Sequence, residues 1–378
     1  MDFELSEYHL MIARTAREFA RAELAKDAIE RDRNQEFPFE AVKKMGELGF
    51  MGVMIPEQWG GAGMDAISYV IILDEIARVD PSASVILSVN NSLAAHAINK
   101  FGSTRQKRKF LIPLASGGSL GAFSLSEPQA GSDASNLLTF AELKGDYYLV
   151  NGTKNFVTSG GTADIVILFA VTERGKGHNG ISAFVVERGT EGFRTGKKEN
   201  KLGIRSSDTC ELIFENCKIP VENLLGREGD GFKIAMDCLD GGRVGIAAQA
   251  LGIARTCLDR SIEYSKTRKQ FGKFISEFEA IQFKLAEMAT DLEAARLLTF
   301  RAASLMDRKK SFTKEASMAK LMASEVAMRV SKEAVQIFGG YGYMTEYEIE
   351  RFMRDAKITQ IYEGTTEIQK IVIARHLL

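Results

Sequence analysis

The chain has 378 residues, 45% of them hydrophobic and 26% charged, enough for two or three domains with substantial cores; disordered, collagen-like and small disulfide-stapled proteins are excluded. Lys and Arg number 49 against 50 Asp and Glu, a net charge of −1, so no overall basic field exists to hold nucleic acid or an anionic membrane, and an anionic partner must be met by a local pocket. Cys210, Cys217, Cys238 and Cys257 form no CxxC pair and the four histidines are scattered, so no zinc site or disulfide framework is signalled and a reducing, intracellular setting is expected.

The N-terminal stretch Met1-Asp-Phe-Glu-Leu-Ser-Glu is acidic and polar, unlike a signal or transit peptide. Helix-length apolar patterns then run to about Gly118. Asp80-Pro81 places a capping carboxylate before a proline at the first helical position, and Ser103-Thr-Arg-Gln106 reads as a capping box. From Ser119 to Gly226 the texture changes to short β-branched and aromatic runs. Tyr147 to Val150 and Thr153 to Val157 flank Asn151-Gly152, a two-residue hairpin signal. Ile165 to Val171, Ile181 to Glu187 and Glu211 to Phe214 are further strand candidates, and the first of these is far too short to span a bilayer. No proline follows Pro220, and Ala, Leu, Met, Glu, Lys and Arg recur at helical spacing to the end. The expectation is an α+β protein: a helical N-terminal domain (1–118), a middle β domain (119–226) and a C-terminal domain of four-helix-bundle type (227–378). No GxGxxG follows a strand and no GxxxxGK[ST] occurs, so neither a Rossmann fold nor a P-loop is supported.

Three segments offer chemistry. Phe123-Ser-Leu-Ser-Glu-Pro-Gln-Ala-Gly-Ser-Asp133 supplies hydroxyls and an Ala-Gly step that lets backbone N–H groups approach a ligand, although these residue types also make ordinary turns. Asn155-Phe-Val-Thr-Ser-Gly160 sets an aromatic beside a hydroxyl, a pattern that core packing also produces. Near the C-terminus, Glu363 stands before Gly364 at a break between helices, with Thr366 and Gln369 placed to cap the next one. A carboxylate beside Tyr362 and Ile361 that is partly desolvated rises toward the range of a general base; an exposed loop Glu would not.

Together, Leu125-Ser-Glu-Pro-x-Ala-Gly-Ser-Asp133, Lys201-Leu-Gly-Ile-Arg-Ser-Ser207, Gln336-Ile-Phe-Gly-Gly-Tyr-Gly342 and Ile361-Tyr-Glu-Gly-Thr365 resemble the acyl-CoA dehydrogenase family, in order and across essentially the whole chain. The resemblance implies an FAD enzyme that introduces an α,β double bond into an acyl-CoA thioester and passes electrons to electron-transferring flavoprotein, without a metal. It implies Glu363 as the α-proton base, with the thioester oxygen met by the Glu363 backbone N–H and an FAD hydroxyl. Phe123, Leu125, Ser126, Gly131, Ser132, Phe156 and Thr158 match the flavin pocket; Phe156 stands where many relatives have Trp, keeping the stacking face and losing the indole donor. Arg268, Gln270 and Phe271, with Gln336, Gly339 and Gly340, match segments that a neighbouring subunit contributes to FAD, and Thr365 and Glu367 complete the cofactor set, so a homotetramer is implied. Phe278-Glu279 departs from the polar or amide-bearing pair that relatives carry near FAD.

On the substrate side Ser132, Tyr362, Gly364, Asp240 and Arg243 match family contacts to acyl-CoA; without the resemblance, Asp240 and Arg243 read as an i,i+3 surface ion pair. Some relatives carry the base directly before the matching arginine, where this chain has Gly242, leaving Glu363 without a substitute. Gly241, Gly245 and Gly252 each weaken the helix, which suggests close packing. Gln249 and Thr359 match short-chain members, and Val89 and Asn90 the pocket floor, so a short straight acyl group such as butyryl is expected. A short branched or alicyclic acyl group, or an oxygen-reactive oxidase, is the alternative. The expected location is the cytoplasm, or the mitochondrial matrix for a processed eukaryotic protein.

Overall fold

The computed structural model describes residues 4–378; Met1, Asp2 and Phe3 of the acidic N-terminal stretch lie outside the described residues. Among the described residues, eight helices come first: α1 (Glu7–Phe19), α2 (Ala28–Asn34), α3 (Phe39–Glu47), α4 (Ala66–Ala77), α5 (Pro81–Ser88), α6 (His96–Phe101), α7 (Thr104–Gln106) and α8 (Ile112–Ala115). The local signals act as their chemistry dictates. The Asp80 carboxylate accepts from the N–H groups of Ser82 and Ala83 with Pro81 in the first turn, and Ser103 and Gln106 cap each other reciprocally. The π-helical stretch Val89–Ala95 links α5 to α6, and both it and α5 are fully buried.

The middle of the chain forms an eight-stranded sheet: β1 (Gly121–Ser124), β2 (Phe140–Lys144), β3 (Tyr147–Thr158), β4 (Ile165–Val171), β5 (Ile181–Glu187), β6 (Phe193–Lys198), β7 (Thr209–Pro220) and β8 (Leu224–Leu225). The order is β6-β7-β3-β2-β4-β5-β8, with β1 parallel to β4. Asn151-Gly152 is not the expected hairpin turn. The chain runs straight through it within β3, which pairs with β7 along its length, and a register shift between Val150 and Gly152 makes the site a bulge. A side chain at 152 would lie 2.4 Å from Thr139 Oγ1, and Asn151 Oδ1 accepts from Asn216 N–H at 2.8 Å. Here long-range pairing with an equally long partner overrides a local turn signal. The hairpin lies one strand earlier, where Gly145 at φ +67° and Asp146 join β2 to β3. Glu211 to Phe214 lies in the first half of the longer β7.

The last part contains α9 (Gly231–Thr267), a short hairpin of β9 (Lys269–Gln270) and β10 (Lys273–Phe274), α10 (Glu279–Asp307), α11 (Thr313–Phe338), α12 (Ile349–Thr359) and α13 (Thr366–Arg375). The N-cap of α13 is Thr365, whose hydroxyl accepts from Ile368 N–H, so the cap lies one residue before the Thr366 expected from sequence. Gln369 instead turns back to the Glu363 and Gly364 carbonyls. The centre of α9 is buried among α4, α5 and α11. No helix among the described residues is long and apolar enough to cross a membrane.

Candidate active site

Between α12 and α13 the chain reverses through Glu363 at φ +53° and Gly364 at φ +93°. A non-glycine residue in the left-handed region costs on the order of 1 kcal/mol or more and persists where its surroundings hold it. Here Lys320 Nζ donates to the Gly364 carbonyl at 2.8 Å, Gln369 Nε2 donates to the same oxygen at 2.8 Å, and Thr366 N–H donates to the Gln360 carbonyl at 3.0 Å. The turn directs the Glu363 carboxylate against the backbone of α9: a Cβ at Gly242 would lie 1.9 Å from Glu363 Oε2. That oxygen is enclosed and has no hydrogen-bond partner among the described residues. Burial pushes the carboxyl up to about 7 against the opposing pull of Lys320 and Arg243, which places its proton affinity in the range of a general base.

Around this carboxylate, Arg243 is buried and its Nη1 donates to Asp240 Oδ1 at 2.6 Å, while Asp240 Oδ2 accepts from the Thr313 hydroxyl. The pair is therefore not the exposed i,i+3 ion pair that spacing alone suggests. Gln249 is fully buried; its Nε2 donates to the Pro81 carbonyl at 2.7 Å and its Oε1 accepts from the Tyr362 hydroxyl. Tyr69 Oη and Ser88 Oγ lie 3.2 Å apart, and a Cβ at Gly245 would fall 2.4 Å from each. Gly252 is equally tight against the Asp74 carbonyl, whereas a Cβ at Gly241 would meet nothing closer than 3.7 Å. Val89 is buried. Asn90 spends its amide within the chain, donating to the Met51 and Leu114 carbonyls and accepting from Gly121 N–H, so it joins α8 and β1 to the π-helical stretch. The Thr359 hydroxyl donates to the Ala356 carbonyl of its own helix.

A second group gathers at the ends of β1 and β3. Asn155 N–H donates to the Ser126 carbonyl at 2.9 Å. Lys154, wholly buried in β3, donates from Nζ to the Leu125 carbonyl at 3.0 Å and to Glu127 Oε1 at 2.7 Å; Glu127 also accepts from Leu138 and Thr139 N–H. Burial lowers the Lys154 ammonium to about 8. These bonds lock the 125–127 backbone to the sheet. Just beyond, a second irregularity in β3 sets Phe156 at φ +56°, leaving its ring 65% exposed. Thr158 ends the strand, Gly131 has open space around it, and Ser132 is exposed. Leu125 is buried and the Phe123 ring packs on Phe169, so both share in the core.

Arg268 and Gln270 meet Gly339 and Gly340 in a separate cleft of about 500 Å³, with Tyr264, Phe338 and Tyr341 as walls. The Arg268 guanidinium lies over the Tyr341 ring at 5.3 Å and has no carboxylate partner among the described residues. Phe271, at the tip of the β9–β10 hairpin, has φ +52° and is 93% exposed. Gln336 lies in the last turn of α11 leading into this cleft, and Glu367 is exposed on the first turn of α13. The 201–207 segment is docked on α12: Ile204 N–H donates to the buried Asp355 carboxyl, which burial pushes up to about 7.

Family models describe the acyl-CoA dehydrogenase N-terminal domain over residues 6–118, the middle domain over 122–217 and the C-terminal domain over 229–378. The chain belongs to the acyl-CoA dehydrogenase family. It is 53% identical over 375 residues to the mitochondrial short-chain specific acyl-CoA dehydrogenase of Mus musculus, covering 99% of this chain and 91% of that protein. Butyryl-CoA dehydrogenase from Megasphaera elsdenii superimposes with a TM-score of 0.98 at 50% identity, over the full length of both chains. A chain solved in work on the electron transferring flavoprotein of Acidaminococcus fermentans and flavin-based electron bifurcation gives 0.99 at 52% identity, again over both full lengths.

For this acyl-CoA dehydrogenase, reading the sequence missed Tyr69, Ser88, Lys154 and Lys320. Tyr69 and Ser88 sit in apolar runs that look like core. The two lysines look like surface residues, because charge reads as exposure until tertiary contacts bury it.

Proposed function

We propose that the protein oxidises a short-chain acyl-CoA, butyryl-CoA in the first instance, to the trans-2-enoyl-CoA, with FAD as acceptor and electron-transferring flavoprotein as the next carrier. The observation that carries this reading is the Glu363 carboxylate set against Gly242, with its Oε2 enclosed and without a hydrogen-bond partner among the described residues. Glu363 takes the α-proton, and the electron pair left on the α-carbon forms the new double bond as the β-hydrogen departs with its own pair. When bound, FAD supplies the acceptor for that hydride. The Glu363 backbone N–H has no acceptor among the described residues and is free to meet the thioester oxygen as charge develops there. Asp240 and Arg243 on α9, with Ser132 and Gly364, would hold the CoA arm.

The residues suit the cofactor. Phe156 offers an exposed ring face, the 125–127 backbone beside it is fixed by Lys154, and Gly131 leaves room for close approach. Arg268, Gln270, Gly339 and Gly340 form a cleft with an unpaired guanidinium, suited to a pyrophosphate. That cleft shares no lining residue with the Glu363 surroundings, which supports a site completed by a neighbouring subunit in a homotetramer. The proposed domain boundaries are 1–118, 119–226 and 227–378. Relatives named short-chain specific and the butyryl-CoA dehydrogenase structure support the acyl length. The test is an anaerobic titration of the FAD-loaded protein with butyryl-, isobutyryl-, hexanoyl- and octanoyl-CoA, followed by electron-transferring flavoprotein or air. Butyryl-CoA should bleach the flavin fastest and the flavoprotein should reoxidise it. Absence of bleaching by every thioester would overturn the reading.

A further inference from the structure

Lys320 is a side chain the proposed chemistry leaves unused and burial makes expensive. It lies on α11 with no exposed surface; among the described residues it has no carboxylate within salt-bridge distance, and its one hydrogen bond is to the Gly364 carbonyl. An ammonium has three protons to donate and pays heavily for leaving water without an anion. The Gly364 carbonyl is already served by Gln369 Nε2 at 2.8 Å, so satisfying that oxygen does not account for a buried charge.

What Lys320 does face is the field of Glu363. Lys320 from α11 and Arg243 from α9 act on Glu363, and the Glu363 charge in turn acts on Cys238 of α9, Tyr69 of α4 and Tyr362 beside it. Of these only Lys320 and Arg243 carry positive charge, and Arg243 already gives Nη1 to Asp240. Lys320 itself senses Glu363, Arg243, Glu325 on its own helix and Glu367 on α13.

We propose that Lys320 is a positioning residue for the base: its ammonium fastens the left-handed Glu363–Gly364 turn and supplies the uncommitted positive charge that favours the Glu363 carboxylate. The proposal rests on Glu363 being the base. Burial drives the Glu363 carboxyl up to about 7 and the Lys320 ammonium down to about 8. Between those values the base is ionised while its counter-charge remains. Below them the base is protonated, and above them the cation fades.

The test uses the FAD-loaded protein with Lys320→Met, which removes charge and hydrogen bond in a similar shape, Lys320→Gln, which keeps a donor for the Gly364 carbonyl, and Lys320→Arg, which keeps the charge. The Glu363 carboxyl is titrated directly by carbon NMR of labelled glutamate, its signal assigned by its loss in Glu363→Gln. The pH profile of kcat/KM for butyryl-CoA is recorded in parallel. Losing a nearby cation should raise the Glu363 midpoint by about one pH unit in Lys320→Met and Lys320→Gln. The acid limb of the profile should move with it, so that activity falls about tenfold more at pH 6 than at pH 9. Lys320→Arg should restore most of the shift. A midpoint unchanged in Lys320→Gln, with any loss of rate then equal at all pH values, would overturn the proposal. If Lys320→Met fails to fold, Lys320→Gln decides alone. A shifted carboxyl midpoint with an unshifted activity profile would leave the charge role intact and sink Glu363 as base, so the two readings fail separately.

Discussion

Replacing Gly242 by alanine adds one carbon where α9 touches the Glu363 carboxylate. The new Cβ would sit 1.9 Å from Oε2, 2.8 Å from Cδ and 3.1 Å from Leu93 Cδ2. Ordinary contact begins near 3.4 Å, so the oxygen must retreat by about 1.5 Å. A glutamate tip can swing that far without unfolding anything, and alanine is about 1 kcal/mol better than glycine inside a helix. Thermal stability should therefore hold or rise slightly. The displaced base should be costly for chemistry, because misplacement by about 1 Å loses on the order of 100-fold in rate. Stopped-flow bleaching of bound flavin by butyryl-CoA reads the chemical step, and differential scanning calorimetry reads stability. Bleaching within about threefold of the parent would refute the idea that the α9 backbone aims the base. A large fall in melting temperature would show that the contact is one of core packing.

Glu363→Gln should retain FAD and acyl-CoA and lose turnover by several orders of magnitude, since the amide cannot accept the α-proton; in the parent, kcat/KM should fall about tenfold per pH unit below 7. The Glu363 carboxyl is raised from 4.5 to about 7 in the folded chain, so the folded state binds the extra proton and stability declines as pH rises through that window. Glu363→Gln should then be more stable than the parent at pH 8, on the order of 2 kcal/mol, and lose that advantage near pH 4.5, as denaturant melts at the two pH values would show. Arg268→Ala should release FAD more readily and lower the melting temperature at limiting FAD; a monomer that holds FAD tightly would contradict the shared-site reading. Gln249→Ala should raise kcat/KM for six- to eight-carbon substrates relative to butyryl-CoA by about 10-fold and cost about 1–3 kcal/mol by stranding the Tyr362 hydroxyl. If only Gln249→Gly and not Gln249→Ala widens selectivity, backbone loosening and not volume is responsible.

Features governed by a few neighbouring residues were legible before the structure. The Asp80-Pro81 cap and the Ser103–Gln106 box are local bargains between a side chain and the next turn, and a helix, sheet, helix order follows from periodicity. Features decided across the chain were not. Asn151-Gly152 carries a turn signal, yet it bulges because β7 pairs past it; β2 and β6, largely exposed, lack the apolar runs that betray β4 and β5. Glu363 stood out through the glycine after it and its resemblance to a family motif. That its Oε2 is enclosed, and that Lys320 and Lys154 are buried, depends on helices and strands distant in sequence. Asn90 and Thr359 show the converse: positions suited to a pocket by analogy, with polar atoms spent on intrachain hydrogen bonds.

The glycines of α9 bear on how the molecule folds. Gly241, Gly242, Gly245 and Gly252 fall within three to four turns of one helix, and each lowers intrinsic helicity by about 1 kcal/mol relative to alanine. The segment that walls the site therefore has little tendency to be helical alone; a peptide of residues 231–267 should be mostly unstructured in water. Its helix is borrowed from α4, α5 and α11 packing around it, so it should consolidate late in folding, after those neighbours have formed. Slow hydrogen exchange at its centre should then report the integrity of the whole assembly of helices.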